Sequence, residues 1–222
     1  MLLLRQAVSY YESSLESLGL WIFSRPLAVD FSHLASLTSL KTLETCRNCM
    51  SYAGFQQVFE GMRSVTKLRS NFSGHLDGDM SESIASHAEL KTLDCRYFFM
   101  HGVEDDTISL APRVTQLTEL TVSVYGELLA ELDCLTELVQ LNLFVYCKTP
   151  CRLDTALDHM PHLQELEIRL WDGVPSVEGN SPCVGACLSS SALENMDRLK
   201  SVRLDCVDVD RHFFQQLLQR QD

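Results

Sequence analysis

Leu40-Lys41-Thr42-Leu43-Glu44-Thr45 returns as Val65-Thr66-Lys67-Leu68-Arg69-Ser70 and again as Leu90-Lys91-Thr92-Leu93-Asp94-Cys95, at steps of 25 residues. The same phrase, apolar at places one and four and usually at six, starts also at Leu15, Leu117, Leu138, Leu163 and Leu199. That makes eight copies with steps of 25, 25, 25, 27, 21, 25 and 36. Recurrence at this period marks a stacked-repeat architecture. Each copy reads as a short strand of a parallel ladder, with places one, four and six turned inward and places five and seven outward. Burying about three Leu or Val side chains per coil contributes roughly 1.5–3 kcal/mol apiece, and ordering the coil offsets much of this, so neighbouring coils must complete the core.

Helix signals fall between the strands. Residues 52–61 place Tyr52, Phe55, Val58 and Phe59 at helical spacing and end at Gly61; residues 77–87 open acidic and carry Met80 and Ile84 at the same spacing. Residues 128–132 and 153–157 read likewise. One strand and one short helix per coil, with the phrase L-x-x-L-x-L-x-x-N/C, resembles the leucine-rich-repeat proteins. The first two anchors match in every copy, counting Val as Leu, and the resemblance covers residues 15–207. It implies an α/β solenoid, a curved horseshoe with parallel strands on the concave face and short helices on the convex face. Residues 1–222 are then a single leucine-rich-repeat domain of about eight repeats. At the ninth place only Asn48 keeps the Asn, and Phe23, Ser73, Phe98, Tyr125, Tyr146, Trp171 and Val207 replace it. That irregularity is similar to the intracellular 25-residue types associated with F-box receptors and sensor proteins.

Composition bounds the partners. With 18 basic against 30 acidic side chains the formal charge is −12, which repels phosphate backbones and argues against nucleic acid. The opening Met1-Leu2-Leu3-Leu4-Arg5 is too short an apolar run for a signal-peptide core, and no stretch reaches the length of a membrane span. Nine cysteines, an odd number, point to reduced thiols and a cytoplasmic chain. Asn71-Phe72-Ser73 is a formal glycosylation sequon of the kind that arises by chance.

Cys46 and Cys49 form a Cys-x-x-Cys, but they occupy places seven and ten of the Leu40 copy, so their side chains diverge and packing is the expected role. Cys147, Cys151, Cys183 and Cys187 follow successive strands, and the sequence leaves open whether they form a metal site or disulfides. The 36-residue last step carries its excess in residues 172–185, a turn-rich loop that reads as a surface insertion or a binding loop.

The outward places form the expected recognition surface. Place five runs Gly19, Glu44, Arg69, Asp94, Thr121, Asn142, Glu167 and Arg203; place seven runs Trp21, Cys46, Asn71, Arg96, Ser123, Phe144, Arg169 and Asp205. Opposite charges should therefore meet at Glu44, Arg69 and Asp94, and at Glu167 and Arg203. Arg and aromatic side chains dominate interface hot spots, which selects Arg69, Phe72, Arg96, Tyr97, Phe144 and Arg169 as expected partner contacts. Enzymatic motifs are missing: the seven histidines share no repeat column, and there is no Gly-x-Ser-x-Gly, phosphate-cradling loop or Asp-rich calcium loop. No cofactor and no metal are expected. The closing Asp210-Arg-His-Phe-Phe-Gln-Gln-Leu-Leu218 reads as an amphipathic helix, either a cap or the first half of another coil. The expected function is a non-catalytic scaffold that binds a protein partner, with neither nucleic acid nor membrane. A sensing portion of a larger signalling or ubiquitin-ligase receptor, and a cysteine-based zinc or redox protein, remain as alternatives.

Overall fold

The computed structural model describes residues 11, 13–20, 32–45, 58–70, 74–75, 83–99, 114–147, 150–170, 186–205 and 207–219. They divide into two compact units, Met1–Gln116 and Leu117–Asp222. In the first unit β1 (Ser17–Leu20), β2 (Thr42–Thr45), β3 (Lys67–Ser70) and β5 (Thr92–Phe99) pair in chain order and in parallel, and the short β4 (Gly74–His75) also lies beside β5. In the second unit β6 (Glu119–Tyr125), β7 (Gln140–Tyr146), β9 (Glu165–Leu170) and β11 (Ser201–Asp205) form the same parallel ladder. Every copy of the six-residue phrase is thus a strand, and the register sets each place against the same place of the next copy.

Packing follows from that register. Leu40 and Leu43, Val65 and Leu68, Leu90 and Leu93, Leu138 and Leu141, and Leu163 and Leu166 are all buried at places one and four. Where place six is polar, the register resolves the cost. Thr45 and Ser70 face each other, and their buried hydroxyls hydrogen-bond at 3.0 Å. The repeat also extends upstream of the phrase. Leu34, Phe59, Ile84, Leu132, Leu157 and Leu193 stand six residues before place one, and Leu37, Met62, His87, Leu135, Met160 and Met196 three before it; all are buried.

The backbone repeats as strictly. The place-two carbonyls of Glu16, Lys41, Thr66, Thr118, Val139 and Gln164 each accept two N–H bonds from the next coil, between 2.8 and 3.1 Å. Close stacking also explains Gly61: a Cβ there would overlap the Cβ of Ala35, so only glycine fits.

The described helical halves overlap the segments that the sequence suggests. Residues 58–61 and 83–85 are helical, while 52–57 and 77–82 lie outside the described residues. Gly126–Cys134 is a 3-10 helix instead of an α-helix. It belongs to the coil with the 21-residue step, and a 3-10 helix rises about 2.0 Å per residue against about 1.5 Å, so fewer residues span the coil. Short α1 (Asp154–Leu157) and the Ser190–Leu193 turn serve the next two coils. The closing helix α2 (Arg211–Gln219) buries Phe213 and leaves Leu218 66% exposed.

A second parallel sheet, which the repeat phrase does not announce, joins β8 (Cys151–Arg152), β10 (Ala186–Leu188) and β12 (Val207–Val209) in the order β12-β10-β8. Aspartates pin the turns after it. Asp154 accepts hydrogen bonds from Arg152 Nη2 at 2.7 Å and from the Ser189 amide at 2.8 Å. Asp210 accepts from the Ser190 and Phe213 amides, each at 2.8 Å, capping α2 and holding its own carboxyl below the usual carboxylate range.

Candidate functional site

Parallel register brings the outward charges together as their places require. In the first unit Arg69 lies between two carboxylates, with Nη1 3.0 Å from Glu44 and Nε 4.0 Å from Asp94. In the second, Glu167 accepts from Arg169 Nε at 2.7 Å, while Arg203 Nη1 stands 3.6 Å away. The arginines in these pairs are well exposed and the carboxylates only partly so, and each pair contributes about 1 kcal/mol to folding. Their consequence is orientation. The Arg169 guanidinium, held by Glu167, sits 5.9 Å from the ring centre of Phe144 on the neighbouring strand, within cation–π reach. At place nine Tyr125 and Tyr146 meet edge to face, with centroids 5.5 Å apart.

The expected contact residues therefore divide. Phe144 and Arg169 form one cluster in the second unit, and Arg69 stands in its carboxylate pair in the first. Arg96 and Tyr97 lie on β5, and Phe72 lies outside the described residues. The tyrosine pair was missed at the sequence level, although the aromatic run at place nine, Phe98, Tyr125, Tyr146 and Trp171, was its signal. The outward face of β6 is closed: Thr121 and Ser123 are buried, Ser123 completely.

The cysteines resolve in part. Cys147 and Cys151 are joined as a disulfide. Cys151 is buried on β8, and the exposed Cys187 on β10 donates from Sγ to Cys151 O at 3.5 Å. Cys46, Cys49, Cys183 and loop 172–185 lie outside the described residues. Among the described residues no group of three His, Cys, Asp or Glu is placed to hold a metal ion, and no helix is long and apolar enough to cross a membrane. Burial, then the Asp94 charge, raises the Cys95 thiol pKa far above its ordinary value. Burial followed by the Asp133 charge raises that of Cys134. Brief alkylation of the folded protein is expected to label Cys187 and spare Cys95, and peptide mapping without reductant should recover Cys147 linked to Cys151. Alkylated Cys147 and Cys151 would contradict the disulfide. Of two depressions, of about 600 and 310 Å³, the first is lined by turn residues such as Asp158, His159 and Glu194 and the second by residues of the smaller sheet and its turns, such as Arg152, Asp154 and Asp208.

No family model matches the sequence, and no curated protein matches it. Solved structures do match. An internalin, inlF, of Listeria monocytogenes str. 4b F2365 is 17% identical with a TM-score of 0.58, over 92% of this chain and 52% of its own. TLR13, solved in complex with ssRNA13, is 16% identical with a TM-score of 0.54, over 94% of this chain and 35% of its own. The Arabidopsis receptor kinase HAESA, solved with the peptide hormone IDA and the co-receptor SERK1, is 15% identical with a TM-score of 0.49, over 80% of this chain and 31% of its own. The fold is a leucine-rich-repeat solenoid of parallel strands alternating with short helices. The chain spans about half the length of the internalin and about a third of TLR13. The cytoplasmic placement expected from cysteine usage is corrected: the internalin and TLR13 structures that the chain matches are of extracellular or surface-exposed proteins. An odd cysteine count was a weak guide, because it says nothing of a local pair such as Cys147 and Cys151, which is oxidised here.

Proposed function

We propose that this chain is a non-catalytic scaffold built on irregular 25-residue coils, with residues 1–222 acting as one domain, and that a protein partner binds the outward faces of its strands. One observation carries the reading. Phe144 and Arg169 are held in contact, with Glu167 fixing the guanidinium, so two hot-spot residue types are already oriented before any partner arrives. Side chains ordered in advance lose less entropy on binding, which favours such a cluster as an anchor. Arg69, held between Glu44 and Asp94, offers a second anchor, and Phe72, Arg96 and Tyr97 extend the proposed contact in the first unit. The formal charge of −12 disfavours nucleic acid as the partner.

The test is capture with a cleavable crosslinker from the native source, comparing the unaltered chain with Arg69→Glu, Phe144→Ala, Arg169→Glu combined. The partner is expected to be recovered by the first and reduced at least about tenfold with the second, a loss of about 1.4 kcal/mol or more. Undiminished recovery by a variant whose circular dichroism is unchanged would remove the strand face from the function.

A further inference from the structure

The outward face of β6, β7 and β9 sets a patch of aromatic rings near a carboxylate that no cation neutralises. Tyr125, Phe144 and Tyr146 are each partly exposed. Tyr125 and Tyr146 stand at 75° with centroids 5.5 Å apart, so the face of one ring and the edge of the other wall a notch. The Tyr146 hydroxyl has no hydrogen-bond partner among the described residues. Phe144 lies two places earlier along β7 and one strand across from Tyr125. With about 3.3 Å per residue along a strand and about 4.8 Å between strands, the diagonal from Phe144 to Tyr125 is roughly 8 Å. A polyproline II helix repeats every three residues, or about 9 Å, so two prolines one turn apart reach Phe144 and the tyrosine notch together. The carbonyls of such a helix make no internal hydrogen bonds and accept readily from the Tyr146 hydroxyl.

The polar groups beside these rings are already engaged. Asn142 donates to Thr121 Oγ1 at 3.0 Å, and Glu167 accepts from Arg169. They leave little for the hydroxyls of a sugar, which favours an occupant whose own rings pack on the aromatic ones. Charge then sets what flanks those rings. Residues 117–222 hold 17 acidic against 8 basic side chains, a field that attracts a cationic segment. Glu165, exposed at place three of β9, has no side-chain partner among the described residues. The register sets it beside Gln140, four residues before Phe144. That puts Glu165 roughly 14 Å from Phe144, a distance that about four or five residues of polyproline II span.

Building on the strand face proposed above as the partner surface, we infer that this patch docks a proline-rich segment of the partner protein. Two prolines one turn apart sit on Phe144 and in the notch of Tyr125 and Tyr146, and a Lys or Arg about four or five residues from the first lies over Glu165. The segment is extended before it binds, so docking orders little chain, and the basic residue fixes its register.

The probe is a labelled peptide of ten prolines with a lysine at each end, so that either chain direction sets a lysine over Glu165, measured by fluorescence anisotropy against the full chain. Glutamates in place of the lysines are expected to weaken binding about fivefold, and Glu165→Lys should reverse that preference. A Gly-Ser chain of equal length between the lysines should bind at least about tenfold more weakly to the unaltered protein, so the test does not depend on a variant that folds. Phe144→Ala with Tyr146→Ala should cost the proline peptide a similar factor. No binding of the proline peptide, equal affinity for the Gly-Ser chain or equal affinity for the glutamate-ended peptide would each overturn the inference. So would binding of maltohexaose that requires Tyr146 in place of the peptide, which would make a sugar the occupant. If any of these results came with loss of the crosslinked partner from the Arg69→Glu, Phe144→Ala, Arg169→Glu variant, the strand face would keep its role and only the proline-rich occupant would fall.

Discussion

Leu143→Ala is expected to lower the unfolding free energy by about 2 to 5 kcal/mol, and Leu204→Ala by no more than about 1.5. Both residues stand at place six of their copies and both substitutions delete the same atoms. They differ in cover. Leu143, on β7 between β6 and β9, is 1% exposed, so its truncation loses transfer energy and leaves a cavity that the flanking coils cannot collapse. Leu204, on the edge strand, is only partly buried and leaves a dent that water fills. With a urea slope of about 2 kcal/mol per molar, the first substitution moves the midpoint by roughly 1 to 2.5 M and the second by well under 1 M. Equal losses would mean that the edge of β11 is covered in solution.

The contrast between these two leucines shows what the sequence carries and where it stops. Places one, four and six were legible because a parallel ladder imposes one residue-for-residue register, and a phrase repeated at steps near 25 residues writes that register directly into the chain. The outward pairs followed from the same rule, and Glu44 with Arg69 and Glu167 with Arg203 stand where the columns put them. Other features leave no periodic trace. β8 has two residues and β10 and β12 three each, too few to show alternation, so the second sheet was unreadable. The choice of a 3-10 helix over Gly126–Cys134 reflects the distance a short coil must span, which residue propensity does not encode. Closure of the β6 outward face at Thr121 and Ser123 depends on what lies over it, and nothing in either residue type announces it. The compartment was misread for a different reason: thiol parity is a property of composition, whereas oxidation of Cys147 with Cys151 is a property of one turn.

His87 breaks an apolar column, and its replacement tests whether that break supports the fold or merely sits within it. Three residues before place one, the column otherwise holds, among the described residues, Leu37, Met62, Val114, Leu135, Met160 and Met196, all buried. His87 is buried as well, with its ring stacked on Phe59 at 3.8 Å and 16°. Its Nδ1 lies 2.9 Å from Ser83 O and its Nε2 2.8 Å from Phe59 O. Each ring nitrogen donates to its carbonyl only when it carries a proton. Neither carbonyl depends on it: Phe59 O also accepts the Met62 amide at 3.0 Å, and Ser83 O accepts the Ser86 hydroxyl at 2.8 Å. His87→Met, which restores the residue type of the column at similar volume and orphans no acceptor, is therefore expected to change stability by less than about 1.5 kcal/mol. His87→Ala removes the stack and leaves a void beside Phe59, and is expected to cost about 2 to 4 kcal/mol. Urea denaturation of the two variants separates these outcomes. If Met cost as much as Ala, the imidazole hydrogen bonds would be the stabilising element, and His87 would be a specific polar tie between coils instead of a ring that fills an apolar place.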